Sequence, residues 1–165
     1  MDVLITGASR GIGRATAIQL AGHGGRVVVN YLRNEEAAEV TAELVRKAGG
    51  TPVIVQGDVR DPKDLKRIAK TLDRYDAVIH NAALGVLKPC DKIRANQWDL
   101  TMEVSVRPLW LLTMECLDRL VEGSSVIGIS SLGSVKFVPG YAAMGAAKAG
   151  VEALTRQLAV ELSPQ

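Results

Sequence analysis

Val3-Leu4-Ile5-Thr6-Gly7-Ala8-Ser9-Arg10-Gly11-Ile12-Gly13 runs from an apolar strand through a glycine-punctuated loop into a helix, and the rest of the chain is read from it. Gly7 lets the chain turn sharply off the strand, Gly11 lets backbone approach a pyrophosphate, and Gly13 lets the helix pack close to the sheet. The first N–H groups of the new helix then face the phosphates, where the helix dipole favours negative charge. A nucleotide cradle of Gly7, Ser9, Arg10, Gly11, Ile12 and Gly13 is the expectation. The spacing is Gly-x-x-x-Gly-x-Gly, which differs from the Gly-x-Gly-x-x-Gly of the commonest dinucleotide fingerprint.

Outward from this stretch, strand and helix patterns alternate to the end of the chain. That is the signature of a doubly wound α/β fold, a parallel sheet with helices on both faces. The patterns predict strands at 3–6, 26–31, 53–55, 77–81 and 125–130. Helices are expected after Gly11, over 35–48 and 62–72, as one long helix over 97–120 kinked at Pro108, and over 141–162. The long helix carries apolar residues around more than one face, which calls for a partner helix from a second subunit. Right-handed crossovers place the first strand centrally, with the second and third on one side and the fourth and fifth on the other. All 165 residues then form one dinucleotide-binding domain, lacking the C-terminal strands that would complete such a sheet.

Composition sets the outer limits. Hydrophobic residues make up 47% and charged residues 23%, with a net charge of +2 from scattered basic groups. No nucleic-acid or membrane face is indicated. A strand begins almost at Met1 without a basic-then-apolar leader, and Cys90 and Cys116 lack paired spacing, so a reducing cytoplasm is the expected compartment. His23 and His80 stand alone and read as surface or packing residues.

Cofactor selectivity is read at the end of the second strand. A carboxylate there would accept from both ribose hydroxyls. Asn30-Tyr31 stands in its place, followed by Arg33, with Arg10 in the glycine loop. Two guanidinium groups near a 2′-phosphate favour NADPH over NADH. Asp58-Val59 and Asn81-Ala82-Ala83 fall at the carboxyl ends of the next strands. Asp58 is positioned to accept from an adenine amino group, and the small Ala82 and Ala83 let an adenosine lie against backbone.

Ser131, Tyr141 and Lys148 carry the candidate chemistry. Hydride transfer to an unsaturated carbon leaves negative charge on an oxygen, which needs a proton donor. A tyrosine is a poor acid–base at neutral pH unless a cation favours its ionised form, and Lys148 is that cation as well as an anchor for the ribose. Ser131 supplies a second hydrogen bond to the substrate oxygen. Seven residues on a helix fall about 20° short of two turns, so Tyr141 and Lys148 share a face at an axial separation of about 10.5 Å.

The glycine loop with Thr6 ahead of it resembles the short-chain dehydrogenase/reductase family. Most members of that family have Tyr-x-x-x-Lys, whereas Met144 stands four before Lys148 and the tyrosine seven before. Ser131 keeps the usual separation of 17 positions from the lysine. The Tyr-x6-Lys pattern resembles the family's enoyl-acyl-carrier-protein reductases. The stretches 81–89, 129–134 and 149–164 are similar to the third type of these, an NADPH-dependent enzyme of fatty-acid synthesis. The resemblance implies reduction of the C=C of an enoyl thioester, a small or carrier-bound acyl substrate and a homo-oligomer. A 3-oxoacyl or other carbonyl reductase, and a nucleotide-binding domain without turnover, are the alternatives. Three positions depart from the family pattern. His80 and Ala83 stand in a stretch that usually reads Asn-Asn-Ala-Gly, Ser105 stands where many members carry a relay Asn, and Phe137 replaces a second tyrosine.

Overall fold

A computed structural model describes residues 1–163, so Pro164, with which the resemblance ends, and Gln165 lie outside the described residues. Five strands, β1 (Val3–Ile5), β2 (Arg26–Tyr31), β3 (Thr51–Gln56), β4 (Tyr75–His80) and β5 (Leu120–Gly128), form one sheet in the order β3-β2-β1-β4-β5. Every pairing is parallel, with β1 in the centre. Six helices connect or follow them: α1 (Gly11–Ala21), α2 (Glu35–Lys47), α3 (Pro62–Ala69), α4 (Ala95–Ser105), α5 (Arg107–Cys116) and α6 (Ala142–Leu162).

Because side chains alternate across a strand, β1 feeds two cores. Val3 and Ile5 pack with Ala17, Ala21, Ala38 and Val45 of α1 and α2. Leu4 packs on the other face with Leu65, Ile68, Val104 and Leu112 of α3, α4 and α5. Burial on both faces is what a central parallel strand requires, and it is why β1 reads as an unbroken apolar run. Gly128 of β5 lies so close to Val151 and Leu109 that a Cβ would sit 2.8 Å from the first and 3.1 Å from the second. That close approach seats α5 and α6 against the end of β5.

The expected helix over 97–120 is two helices and the start of a strand. α4 begins earlier, at Ala95, and stops at Ser105; Val106 leaves helical regularity at φ −109°. Pro108 falls at the second position of α5, where its missing N–H costs nothing, so it opens a new helix instead of kinking an old one. After one 3-10 turn over Leu117–Arg119 the chain is already in β5, five residues ahead of the expected start at 125. Leu117 and Leu120 continue the helical apolar spacing while belonging to the turn and the strand. Remaining boundaries move by a few residues. Asn34 caps α2 by accepting from Ala37 N–H, and Asp61 caps α3 by accepting from Lys63 N–H. No helix among the described residues is long and apolar enough to cross a membrane.

Candidate active site

The carboxyl ends of β1, β2 and β4 meet at the glycine loop, through Thr6, Asn30 and Asn81. Gly7 and Gly11 adopt φ of 63° and 57°, values that favour glycine. Gly13 is fixed by contact: a Cβ there would lie 2.5 Å from the Gly7 carbonyl oxygen and 2.6 Å from Asn81 Nδ2. A Cβ on Gly11 would meet nothing within 4 Å, so the outer rim of the loop is open. α1 also differs from its neighbours. Its first turn carries neither a capping side chain nor an acid, whereas α2 and α3 have both. The first N–H groups of α1 have no acceptor within the helix. An anion at this open rim could supply one.

Side chains outside the glycine pattern hold the loop. Asn30 is buried; its Oδ1 accepts from Gly7 N–H at 3.2 Å, and its Nδ2 donates to the carbonyls of Val55 and Gly57. Asn81 Nδ2 donates to the carbonyls of Thr6 and Gly7 at 3.0 and 3.1 Å. Arg14 was missed in the sequence, because it sits on the buried side of α1 as one of many scattered basic residues. Its guanidinium donates to the Ser9 and Ala37 carbonyls, and its Nε donates to Thr41 Oγ1. Asn30 and Asn81 are therefore clasps behind the cradle, with their side-chain amides committed to backbone.

Toward the adenosine end, Val59 is buried, Ala82 half-buried, and Ala83, Arg10 and Arg33 exposed. Arg60 occupies the Asp58 carboxylate, donating from Nη2 at 2.6 Å and from Nε at 3.0 Å. That guanidinium holds the Asp58 carboxyl below the ordinary aspartate range, with a smaller contribution from Arg33. Adenine-amino recognition at Asp58 thus competes with a neighbouring arginine, a partner two residues on that the strand pattern did not expose. Arg10 and Arg33 enter none of the ion pairs among the described residues.

Ser131 and Tyr141 meet between the end of β5 and the start of α6, and Lys148 stands in the second turn of that helix, held to the end of β5. Ser131 Oγ lies 3.0 Å from the Tyr141 hydroxyl. Lys148 Nζ donates to the Ile129 carbonyl at 2.6 Å, and burial pushes its pKa down. Tyr141 stands at the N-cap of α6, just outside its first turn; its carbonyl accepts from Gly145 N–H at 2.6 Å. The tyrosine ring lies over Gly133, where any Cβ would overlap Cδ1 and Cε1. Met144, in the position four before the lysine, is buried with its thioether against Gly85. Glu152, one turn beyond Lys148, accepts from Ser130 Oγ at 2.5 Å and from Ser134 Oγ, and both bonds hold its carboxyl below the ordinary range. Ser134 Oγ has a single proton, which it shares between Glu152 and the Ser131 carbonyl at 2.8 Å, so this carboxylate braces the turn that presents Ser131.

A cleft of about 540 Å³ opens beside Tyr141, walled by Lys88, Phe137, Pro139 and Ala142. A second hollow of about 700 Å³ lies at the opposite end of β5, between α5 and α6, away from these groups.

A parallel sheet of this order, a glycine cradle at its central strand and a Ser–Tyr–Lys cluster define a nucleotide-binding oxidoreductase of the doubly wound type. The family model described as enoyl-(acyl carrier protein) reductase matches residues 7–165. The chain is 37% identical to 1-cyclohexenylcarbonyl-CoA reductase of Streptomyces collinus, over 98% of this chain and 59% of that protein. It is 34% identical to a 3-oxoacyl-[acyl-carrier-protein] reductase of Synechocystis, over 97% of this chain and 67% of the relative. A solved short-chain dehydrogenase/reductase of Serratia marcescens superposes with a TM-score of 0.93 at 26% identity, covering 98% of this chain and 68% of that one. The chain belongs to the short-chain dehydrogenase/reductase family, whose members bind nicotinamide dinucleotides. It spans about 59 to 67% of the length of these two curated relatives.

Proposed function

We propose that the chain is the cofactor-binding part of an NADPH-dependent reductase that saturates the C=C of an enoyl thioester. The observation that carries this reading is the contact between the Tyr141 hydroxyl and Ser131 Oγ at 3.0 Å, made although the tyrosine stands seven residues before Lys148. In a conjugated thioester the hydride goes to the β carbon while charge develops on the more distant carbonyl oxygen. A donor set back along the helix suits that separation. The Streptomyces collinus relative, named for a cyclohexenylcarbonyl-CoA, supports the same substrate class.

The glycine rim and the first turn of α1 would hold the pyrophosphate, and Lys148 the ribose next to the nicotinamide. Arg10 and Arg33 favour a 2′-phosphate, in the absence of a carboxylate at the end of β2. When bound, the nicotinamide supplies a hydride. Tyr141 would donate its proton to the enolate oxygen, giving an enol that becomes the saturated thioester by taking a proton from water at the α carbon and losing the oxygen-bound one; Ser131 hydrogen-bonds that oxygen, and the Lys148 ammonium would favour the tyrosinate left behind. The 540 Å³ cleft beside Tyr141 is open to an acyl chain, small or carrier-bound. Trp110 on α5 and Val160 on α6 are exposed, and we assign these faces to a homo-oligomer interface. Sedimentation velocity should then show a species larger than one subunit at micromolar concentration, whereas a monomer at all concentrations would remove that assignment.

A second reading, reduction of a 3-oxoacyl thioester, is favoured by the Synechocystis relative. Following reduced-cofactor absorbance with a trans-2-enoyl thioester and its 3-oxo counterpart side by side separates the two. The enoyl compound should oxidise NADPH faster than NADH. Tyr141→Phe should lower kcat about 10²- to 10⁴-fold. Turnover of the 3-oxo compound alone would select the second reading, and cofactor binding without turnover would select a binding domain.

A further inference from the structure

Two buried side-chain atoms among the described residues have no hydrogen-bond partner, His80 Nε2 and Ser105 Oγ. The residues are 3% and 0% exposed. Both border Lys148. His80 ends β4, its carbonyl accepts from Ile129 N–H at 3.1 Å, and the Ile129 carbonyl accepts from Lys148 Nζ at 2.6 Å. Ser105 ends α4, at the break before α5.

Counting lone pairs fixes the state of the imidazole. Thr6 Oγ1 accepts from Asn81 N–H at 3.1 Å and from Ala82 N–H at 3.0 Å. A hydroxyl has two acceptor sites and one proton, so both acceptor sites are used. Its remaining contact is His80 Nδ1 at 3.1 Å, and there Thr6 must donate. Nδ1 is therefore unprotonated, and the ring proton of neutral His80 is on Nε2. That N–H lies against the backbone of Ser105 and Val104, whose carbonyls partly offset the effect of burial on the ring, while it closes a well-formed hydrogen bond to neither. Pro108 has no N–H to give the carbonyl four residues earlier, which is that of Val104. Leu109 N–H, the next along, donates to Val106 at 3.1 Å. An orphan donor thus faces a carbonyl that has lost its helical partner.

We infer that His80 is a positioning residue, a neutral Nε2–H imidazole that ties the Thr6–Asn81–Ala82 corner of the cofactor cradle to the α4/α5 break beside Lys148. The ring accepts at one end and donates at the other, so a displacement of the break is felt at the cradle. A second proton on Nδ1 would find both Thr6 lone pairs occupied and would force Asn81 or Ala82 N–H to let go. Burial, with a contribution from the Lys148 ammonium, holds the pKa down at about 4, which keeps the ring neutral in the working range. An asparagine at this place could still accept from Thr6 and donate toward the break, whereas a leucine could do neither.

The kinetic half of this assignment rests on the proposed reductase activity; the tautomer does not. Long-range ¹H–¹⁵N correlation on the labelled full-length protein between pH 6 and 8, about the ordinary histidine value of 6.5, should show a pyridine-like Nδ1 and a pyrrole-like Nε2 for His80. Thr6→Ser should keep that pattern. A protonated Nδ1 in the unmodified protein, whether as the other tautomer or as imidazolium, overturns the assignment. In turnover, His80→Leu should lower kcat/KM about tenfold, and His80→Asn should restore it to within about threefold of the parent. A fully active His80→Leu refutes the positioning role. If neither thioester is reduced, the reductase reading fails, while the tautomer spectra still decide the state of His80.

Discussion

Gly133 and Gly145 make room for the displaced tyrosine. A Cβ on Gly145 would approach the Gly133 carbonyl oxygen to 2.7 Å, and one on Gly133 would run into the Tyr141 ring. The two glycines and the ring form one contact, so the tyrosine cannot be considered apart from them. Gly133→Ala should push the ring off Ser131 and lower kcat about 10- to 100-fold, since displacement of a reacting group by about 1 Å costs of that order. The KM for NADPH should hardly change, because the glycine loop lies elsewhere. Steady-state kinetics with a thermal melt in parallel would check this; a fall in Tm with unaltered kcat would mean that the ring adjusts without losing Ser131. Gly85 plays the matching part for Met144, whose thioether fills the space over it. Adding Met144→Tyr to Tyr141→Phe should therefore not recover activity in the enoyl assay. Recovery would show that the usual family position remains usable in this chain.

At the scale of elements, α6 carries Lys148 and Glu152 one turn apart on one face. The lysine holds the end of β5 through Ile129, while Glu152 holds the turn after it through Ser130 and Ser134. Glu152→Ala should release that turn and lower kcat by roughly tenfold. Glu152→Gln, which still accepts from a hydroxyl, should retain most of the rate. The hydroxyl bonds favour the carboxylate, so its support is full above the ordinary glutamate value of 4.5 and is lost as pH falls below it. An acid limb of kcat that moves in Glu152→Gln would reveal this; identical kinetics in the alanine variant would deny the brace. Glu152 stood in the sequence as one acid among many, because nothing in its spacing shows two serines from another element. The order of strands and helices was legible, since glycine and proline punctuate the chain and the central strands β1, β2 and β4 are largely buried apolar runs. The α4/α5 break was not, because apolar residues all around a helix look the same whether the helix continues or restarts at a proline. Spacing singled out Ser131, Tyr141 and Lys148, and the first two are in hydrogen-bond contact. Arg14 and Asn30 behind the glycine loop, and Gly133 beneath the Tyr141 ring, act through tertiary contacts that no local pattern encodes.

The whole molecule holds His80 uncharged in its interior, and this couples one residue to the stability of the fold. Its pKa is about 4 in the native state, against 6.5 for the free side chain, because burial disfavours the cation and the Lys148 ammonium facing it adds repulsion. Between these two values the unfolded chain binds more protons than the native one, so stability falls as pH is lowered. The contribution is fully present above pH 6.5 and lost on the way to pH 4, with a magnitude of roughly 3 kcal/mol. Carboxylates whose native pKa is depressed, such as Asp2 beside Arg26 and Asp58 beside Arg60, contribute in the same direction. Their unfolded value is 3.8, however, so their loss occupies a lower window. The interval from about pH 4.5 to 6.5 is then the signature of the histidine. Urea unfolding across that interval should show midpoints that decline with acidification in the parent, with an almost flat response in His80→Asn. If the variant declines as steeply as the parent, the sensitivity belongs to another group, and the ring is less isolated from water than its place between β4 and the α4/α5 break implies.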